Sequence, residues 1–223
     1  MRWLEVRRHS LTRKDSARDR GSHLSADGVA LARLVGESLG PFASVVTSAS
    51  PRAIETAVAM GFAVDDTVEL PSGYVPGEVD RHEQWRWPRP YRTYAELLGR
   101  GGGLATVAEA HRRIWTSVVA AVPDGAAALV VGHGGGIEPG LVACLPDADY
   151  QSWGGPFGHC DGARLSFNEG GFVSVQFRRA PEQKERGNTK PLVRDWVTEG
   201  TRTPDLRDHN STRPVPAGSS RSH

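Results

Sequence analysis

Short apolar runs alternate with longer amphipathic stretches along most of the chain. Strands are predicted where the apolar runs fall, at residues 3–6, 44–47 and 127–131. Helices are predicted from Ser25, from Ser50-Pro51 to about Met60, over about 104–121, and from near Ile137. The run at 127–131 has no polar alternation, which is typical of a strand that is buried on both faces.

Two late strands complete the pattern. They are predicted at about 163–168 and 172–177, and they flank a turn-like segment that reads Asn168-Glu169-Gly170-Gly171. Strands that alternate with helices predict a mostly parallel sheet. The expected fold is therefore an α/β three-layer sandwich with a mostly parallel central sheet, helices on both faces and an antiparallel edge strand. Ligands of such sheets bind at the carboxyl ends of the strands.

Two segments depart from this alternation. Residues 62–92 have no clear period and are rich in proline, arginine and aromatic residues, so we expect an excursion from the core fold. From Pro181 onward the chain is polar, charged and dotted with proline, which predicts a disordered tail. The predicted organisation is a folded domain over residues 1–180 and a disordered polar tail over residues 181–223.

Charge and cysteine content narrow the class of protein. The 223 residues carry 27 basic and 26 acidic side chains, a formal net charge of +1, so we expect neither a nucleic acid nor a membrane as partner. Charges interrupt the N-terminus too early for a signal peptide, and Cys144 and Cys160 have no CxxC spacing. We expect a cytoplasmic protein with free thiols, without a metal or a cofactor. The sequence does not indicate an oligomeric state.

Basic side chains follow three of the predicted strands. Arg8 and His9 follow the first strand, Arg52 lies at the start of the helix after the second, and His133 follows the fully apolar strand. Because the ends of neighbouring parallel strands meet at one edge of a sheet, these four side chains are expected to converge. Helix N-termini at the same edge add N–H groups and a positive dipole end. The sequence thus predicts a compact anion pocket.

This set of side chains suits phosphoryl transfer. Two guanidinium groups can clamp the non-bridging oxygens of a phosphoryl group. A neutral imidazole can attack phosphorus and form a covalent phospho-enzyme, and a second imidazole, when protonated, can donate to the same oxygens. Gly134, directly after His133, lets the backbone approach the phosphate closely.

Four segments occur in a characteristic order. They are Arg8-His9, Leu24-Ser25-Ala26-Asp27-Gly28, Ser48-Ala49-Ser50-Pro51-Arg52-Ala53-Ile54-Glu55-Thr56-Ala57, and Val130-Val131-Gly132-His133-Gly134-Gly135. Together they resemble the R-H-G, L-T-x-x-G, S-S-x-x-x-R-A-x-E-T-A and V-V-x-H-G-G segments of the histidine phosphatase superfamily (phosphoglycerate mutase-like, branch 1). The resemblance spans residues 3 to about 178.

The resemblance implies a role for each residue. It implies that His9 is the nucleophile that becomes phosphorylated, and that Arg8, Arg52 and His133 bind and stabilise the phosphoryl group. It also implies that a carboxylate, usually of glutamate, protonates the leaving group.

Two positions depart from the family's pattern. Ser10 stands where the family has glycine, and its side chain would either narrow the pocket or add a hydroxyl hydrogen bond to the phosphate. The proton-donor segment is not recognisable in the expected region, about 69–80. Glu78 is the first choice for the donor, and the alternatives are Glu69, Asp80, Glu83 and His82.

The sequence therefore predicts a phosphomonoester hydrolase that acts through a phosphohistidine intermediate. Its substrate is unidentified and is expected to be a small phosphorylated molecule or a phosphoprotein. Ser10 and the unrecognised donor leave open a non-catalytic phospho-ligand or protein-binding module on the same fold. A phosphoglycerate-type mutase is a further alternative. The aromatic run at 85–91 is expected to pack against the core, with substrate recognition as the alternative.

Overall fold

The computed structural model describes residues 1–13, 22–80 and 87–181, which form a sheet covered by helices. The strands of this part of the chain are β1 (Arg2–Arg8), β2 (Ser44–Ser48), β3 (Asp66–Val68), β4 (Ala127–Gly132), β5 (Gly162–Asn168) and β6 (Gly171–Arg178). The α-helices are α1 (Ala26–Gly36), α2 (Pro51–Ala59), α3 (Pro90–Leu98), α4 (Gly103–Ala120) and α5 (Ile137–Cys144). A 3₁₀ helix, Tyr150–Trp153, precedes β5.

The strands lie in the order β3-β2-β4-β1-β5-β6. The first four are parallel, whereas β5 runs antiparallel to β1 and β6 antiparallel to β5. Arg8 at the end of β1 pairs with Gly132 at the end of β4, and Thr47 near the end of β2 pairs with Val131. The carboxyl ends of β1, β4 and β2 therefore lie side by side. This sheet confirms the predicted α/β fold with a mostly parallel sheet and an antiparallel edge.

The side chains of β4 explain the layers of the fold. All six residues of the strand are buried. Ala128 and Val130 belong to the cluster that packs under α4 and α5, whereas Leu129 and Val131 pack against Ala53 and other residues on the α2 side. Successive side chains of a strand point to opposite faces, so an uninterrupted apolar strand requires helices on both sides of the sheet.

Two charged side chains are buried in β1. Glu5 and Arg7 alternate with the core residues Leu4 and Val6, so they point to the other face of the sheet. The Arg7 guanidinium lies 2.6 Å from the Glu5 carboxylate and donates a hydrogen bond to the carbonyl oxygen of Cys160 at 2.9 Å. The charges that interrupt the apolar run of β1 thus form a buried ion pair that connects β1 to the segment before β5.

The sequence pattern does not predict the secondary structure within the segment 62–92 and just after it. This segment supplies β3, which pairs with β2, and the beginning of α3, which the pattern did not predict. The described part of the aromatic run packs inward, because Tyr91 is fully buried and Trp87 contacts Tyr94. The expectation of packing therefore holds for Trp87 and Tyr91, whereas Pro88 and Arg89 are exposed and residues 81–86 lie outside the described residues.

The predicted tail, 181–223, lies beyond the described residues except for Pro181. All described residues belong to the first of two units of the chain, Met1–Gln183. Among the helices in this part of the chain, none combines the length and apolar character needed to cross a membrane.

Arg179 and Ala180 are the last residues whose contacts are expected to stabilise the folded domain. The Arg179 guanidinium donates to the Asp161 carboxylate at 2.9 Å and to the carbonyl oxygens of Pro156 and Gly155, and the Ala180 N–H donates to Asp161 at 2.7 Å. We expect a chain that ends at Ala180 to keep the melting temperature of the full chain. A chain that ends at Arg178 should lose about 1–2 kcal/mol of stability, or roughly 2–8 °C.

Differential scanning calorimetry of the two truncated chains beside the full chain measures both effects. A large drop for the chain that ends at Ala180 would show that the tail contributes to stability.

Candidate active site

Four basic side chains converge at the carboxyl edge of the sheet. His9 follows β1, His133 follows β4 and Arg52 lies in the first turn of α2, directly beyond β2. The ring centroids of His9 and His133 are 5.3 Å apart, with the rings inclined at 60°. Burial lowers the pKa of both histidines, and the charges of Arg8 and Arg52 lower both pKa values further. The structure therefore brings together the four residues of the predicted anion pocket.

Hydrogen bonds fix the tautomer of His9. Its Nδ1 lies 2.7 Å from the backbone carbonyl oxygen of Ser10, which can only accept, so Nδ1 carries the proton. Burial, followed by the neighbouring His133, lowers the pKa of His9 well below 6.5, and the ring is neutral at pH 7. Its Nε2 therefore holds a lone pair. The backbone N–H of His9 donates to the carbonyl oxygen of Gly132 at 2.9 Å, which ties the loop after β1 to the end of β4.

His133 contacts two serine hydroxyls. Its Nε2 lies 2.7 Å from the Oγ of Ser48 and 3.3 Å from the Oγ of Ser50, and these two hydroxyls are 2.9 Å apart. Burial, with the charge of Arg52 as the next cause, lowers the pKa of His133 to about 3. The ring of His133 is therefore neutral at pH 7, because burial and the charges of both arginines oppose a further positive charge. A neutral ring still offers one N–H donor.

Ser48 and Ser50 were missed as residues of the site. Ser50 was predicted as the N-cap of α2, and it has that position, but its side chain makes no capping hydrogen bond and turns toward Ser48 instead. The available signal was the position of Ser48 at the end of β2 and of Ser50 just beyond it, at the same edge as the two histidines.

Arg8 is fixed by the loops on either side of it. Its Nη1 donates to the carbonyl oxygen of Phe157 at 2.6 Å. A Cβ on Gly134 would lie 3.0 Å from the Arg8 Nε and 3.1 Å from Cζ, so the guanidinium packs directly on the Gly134 backbone. Gly134 was predicted as a phosphate contact, and its observed role is to make room for Arg8. Its contact with phosphate stays a prediction.

Ser10 does not have the role that was predicted for it. The residue is completely buried, its hydroxyl donates to the carbonyl oxygen of Gly28 at 2.7 Å, and its backbone N–H donates to the Thr56 hydroxyl at 2.9 Å. The expected hydrogen bond from the Ser10 hydroxyl to phosphate is therefore wrong. The side chain connects the loop after β1 to α1, whose Gly28 approaches that loop so closely that a Cβ there would overlap the carbonyl oxygen of Leu11.

Glu78 caps a helix. Its Oε1 accepts the backbone N–H of Gly103 at 2.6 Å and its Oε2 that of Leu104 at 3.2 Å. Gly102, the N-cap of α4, has no side chain to do this. Both carboxylate oxygens therefore accept hydrogen bonds from the start of α4. These contacts give Glu78 a structural role as a helix cap, and its role as the leaving-group acid stays a prediction.

The structure describes two of the four alternative donors. Glu69 is exposed, and the exposed Asp80 accepts the backbone N–H of Gly77 at 2.8 Å. Glu83 and His82 lie outside the described residues. The identity of the proton donor stays open.

Two further histidines lie near the pocket. His159, which precedes β5, has its ring centroid 5.7 Å from that of His9. His111 was predicted as part of the apolar stripe of α4; it is buried, and its Nε2 lies 3.2 Å from the carbonyl oxygen of Pro71. Burial lowers the pKa of His111 to about 4, so Nε2 is an N–H donor on a neutral ring. Neither ring was predicted at the site, because long-range packing brings them there.

The family model of the histidine phosphatase superfamily (branch 1) matches residues 6–179, and the chain belongs to this superfamily. No curated protein matches the sequence.

Solved structures show the same fold. Phosphoserine phosphatase from Entamoeba histolytica, solved with 3-phosphoglyceric acid, is 17% identical, with 81% of this chain and 98% of that chain covered and a TM-score of 0.58. YhfR from Bacillus stearothermophilus is 18% identical over 78% of this chain and 95% of that one (TM-score 0.53). Mycobacterial glucosyl-3-phosphoglycerate phosphatase, solved with VO3, is 21% identical over 81% and 98% (TM-score 0.51).

The two readings of Glu78 predict different results for Glu78→Ala. As a cap, its loss should destabilise the protein by about 1 kcal/mol and lower the melting temperature by roughly 2–4 °C. The kcat on an aryl phosphate should stay within about twofold of the original, because no catalytic contact is removed. Glu96→Ala, which removes an exposed glutamate of α3, is the control. A loss of kcat of about 100-fold in the folded variant would identify Glu78 as the acid.

Three neutral histidines, of which His111 is buried and the other two partly buried, predict loss of stability in acid. The folded pKa values of His9, His111 and His133 all lie below the ordinary 6.5, so the unfolded chain binds more protons below that value. Their contribution is fully present above about pH 6.5 and is lost as the pH falls toward the folded pKa values. The slope reaches about 1.4 kcal/mol per pH unit for each histidine.

Urea unfolding in phosphate-free buffers between about pH 7 and pH 5 measures this slope. The variant His111→Gln should reduce it by about one histidine's share. An unchanged slope in this variant would contradict the assignment of His111 as a neutral buried ring.

Proposed function

We propose that the protein is a phosphomonoester hydrolase that forms a phosphohistidine at His9. The observation that carries this proposal is the Nδ1 hydrogen bond to the Ser10 carbonyl oxygen, with His133 5.3 Å away. The hydrogen bond places the proton on Nδ1 and leaves the Nε2 lone pair as the nucleophile. Burial keeps the ring neutral, which is the reactive form.

The first step transfers the phosphoryl group. The Nε2 of His9 forms a bond to phosphorus while the bond from phosphorus to the ester oxygen breaks, and the leaving oxygen takes up a proton. Arg8, Arg52 and the N–H of His133 bind the non-bridging oxygens, where negative charge stays through the transition state. The proximity of these four side chains supports the proposal, because donors that are already close together need little reorganisation.

The second step is hydrolysis. A water molecule attacks phosphorus, the P–N bond breaks, the electron pair returns to Nε2, and inorganic phosphate leaves. The same four side chains serve both steps, because the phosphoryl group keeps its position while its two apical partners change.

Hydrolysis is preferred to a mutase reaction, and the substrate is assigned only as a phosphomonoester. Phosphoserine phosphatase and glucosyl-3-phosphoglycerate phosphatase, named above as structural neighbours, support a small phosphorylated substrate. The family match supports the reaction class.

A phosphate-binding module without turnover is the second candidate. It is favoured by the contacts of Glu78, whose carboxylate is used by α4 and leaves the leaving-group acid unassigned. Aryl phosphates with acidic leaving groups separate the two candidates, because their departure needs little help from an acid. Turnover of such an ester identifies an enzyme, and phosphate binding without turnover across a panel of esters identifies a binding module.

The variant His9→Ala tests the nucleophile. Hydrolysis of an aryl phosphate should fall by at least about 1,000-fold, because the covalent route is lost. The control is His23→Ala, which removes a half-exposed histidine that pairs with Glu55. A quench in alkaline denaturant during turnover of the original protein should trap phosphate on His9, and later treatment with acid should release it. Activity that survives in His9→Ala would refute the mechanism.

A further inference from the structure

The carboxylate of Glu138 lies behind the pocket and is not used by the proposed reaction. Glu138 is in the first turn of α5 and is 1% exposed. Its Oε2 accepts the backbone N–H of Gly135 at 2.6 Å, and its Oε1 accepts the backbone N–H of Phe157 at 3.1 Å. One buried side chain therefore joins two loops that are distant in sequence.

Each of these loops contains or contacts a residue that is proposed to bind phosphate. The Gly135 loop begins at His133, and its Gly134 forms the surface on which the Arg8 guanidinium packs. The carbonyl oxygen of Phe157 accepts a hydrogen bond from the Arg8 Nη1, and the backbone N–H of Phe157 donates a hydrogen bond to Glu138. The contacts thus form a closed path from His133 through Gly135, Glu138 and Phe157 to Arg8.

We propose that Glu138 is a positioning residue, whose carboxylate holds Arg8 and His133 at the spacing that a phosphoryl group requires. It has no access to substrate and acts through Gly135 and Phe157. The inference rests on the proposed function, since it concerns the same pocket. A displacement of about 1 Å in such groups is enough to cost about 100-fold in rate.

The surroundings explain how a carboxylate can be buried at this place. Burial raises the pKa of Glu138, whereas backbone N–H groups, including those of Phe157 and Gly135, and the charge of Arg8 favour the ionised form. The carboxylate lies at the positive end of α5, where an anion is favoured. It uses the Gly135 N–H itself, so this helix end positions the pocket instead of presenting that N–H group to phosphate.

The variant Glu138→Gln tests the role with little change in volume. An amide keeps one acceptor oxygen but directs an NH₂ group toward one of the two backbone N–H groups, so one hydrogen bond is lost and two donors face each other. We expect kcat/KM for an aryl phosphate to fall by about 10- to 100-fold. The inhibition constant for orthovanadate should rise in parallel, because this anion uses the same donors. The control is Glu109→Gln on the surface of α4, which removes an exposed ion pair with Arg112.

A double-mutant cycle separates positioning from a general loss of stability. If Glu138 acts through Arg8, then Glu138→Gln should cost at least about threefold less in an Arg8→Ala background than in the original protein. In an Arg52→Ala background the cost should be unchanged, because the hydrogen bonds of Glu138 go to Gly135 and Phe157, and that of Phe157 goes on to Arg8. Equal costs in both backgrounds, or kcat/KM within about twofold of the original, would overturn the proposal.

A second variant and a binding measurement cover two further cases, in which Glu138→Gln does not fold or the original protein shows no turnover. If Glu138→Gln does not fold, Glu138→Asp keeps the charge with a shorter reach, and a smaller loss with the same coupling to Arg8 is expected. If the original protein binds phosphate without turnover, the same cycle is measured on orthovanadate affinity by calorimetry. In that case the proposed hydrolase function is refuted. The positioning role of Glu138 is still tested, because it requires that the effects of Glu138→Gln and Arg8→Ala on orthovanadate affinity be coupled.

Discussion

Strand β4 pairs in parallel with β1 on one side and with β2 on the other, and its last residue, Gly132, lies opposite Arg8. This pairing determines where every basic side chain of the pocket lies. His9 and His133 are each the first residue beyond their strand, so the register that aligns the strand ends also brings the two rings together. The hydrogen bond from the His9 N–H to the Gly132 carbonyl oxygen continues the ladder by one residue, to the proposed nucleophile.

Burial has a chemical consequence at this edge. The imidazole rings of His9 and His133 lie partly buried beside two guanidinium groups and are neutral at pH 7, so the pocket's charge comes from Arg8 and Arg52. The proton on Nδ1 of His9 leaves a lone pair on its Nε2, which is the state that the proposed nucleophile requires and that a charged ring lacks. The same surroundings make these histidines unfavourable for stability in acid.

The parts of the site that the sequence predicted are those encoded locally. Strand ends and helix starts can be recognised from short patterns, and the positions of His9, Arg52 and His133 follow directly from them. Glu138 had a weaker signal, as the one acidic side chain in the apolar stretch 127–146, but its partners Gly135 and Phe157 could not be foreseen. Helix α3 was missed because its first residues continue a segment rich in proline and arginine, and its burial comes from tertiary contacts.

Glu78 and Glu138 show why the spacing of a carboxylate in sequence does not identify its chemistry. Both accept backbone N–H groups at or next to the start of a helix, Glu78 at α4 and Glu138 at α5. Among the described residues, the contacts of the Glu78 carboxylate go to α4, whereas those of Glu138 extend to the loops that support Arg8 and His133. The two glutamates differ in what the backbone groups they bind are connected to. Glu138, which was not predicted as a site residue, therefore has the closer physical connection to the basic pocket.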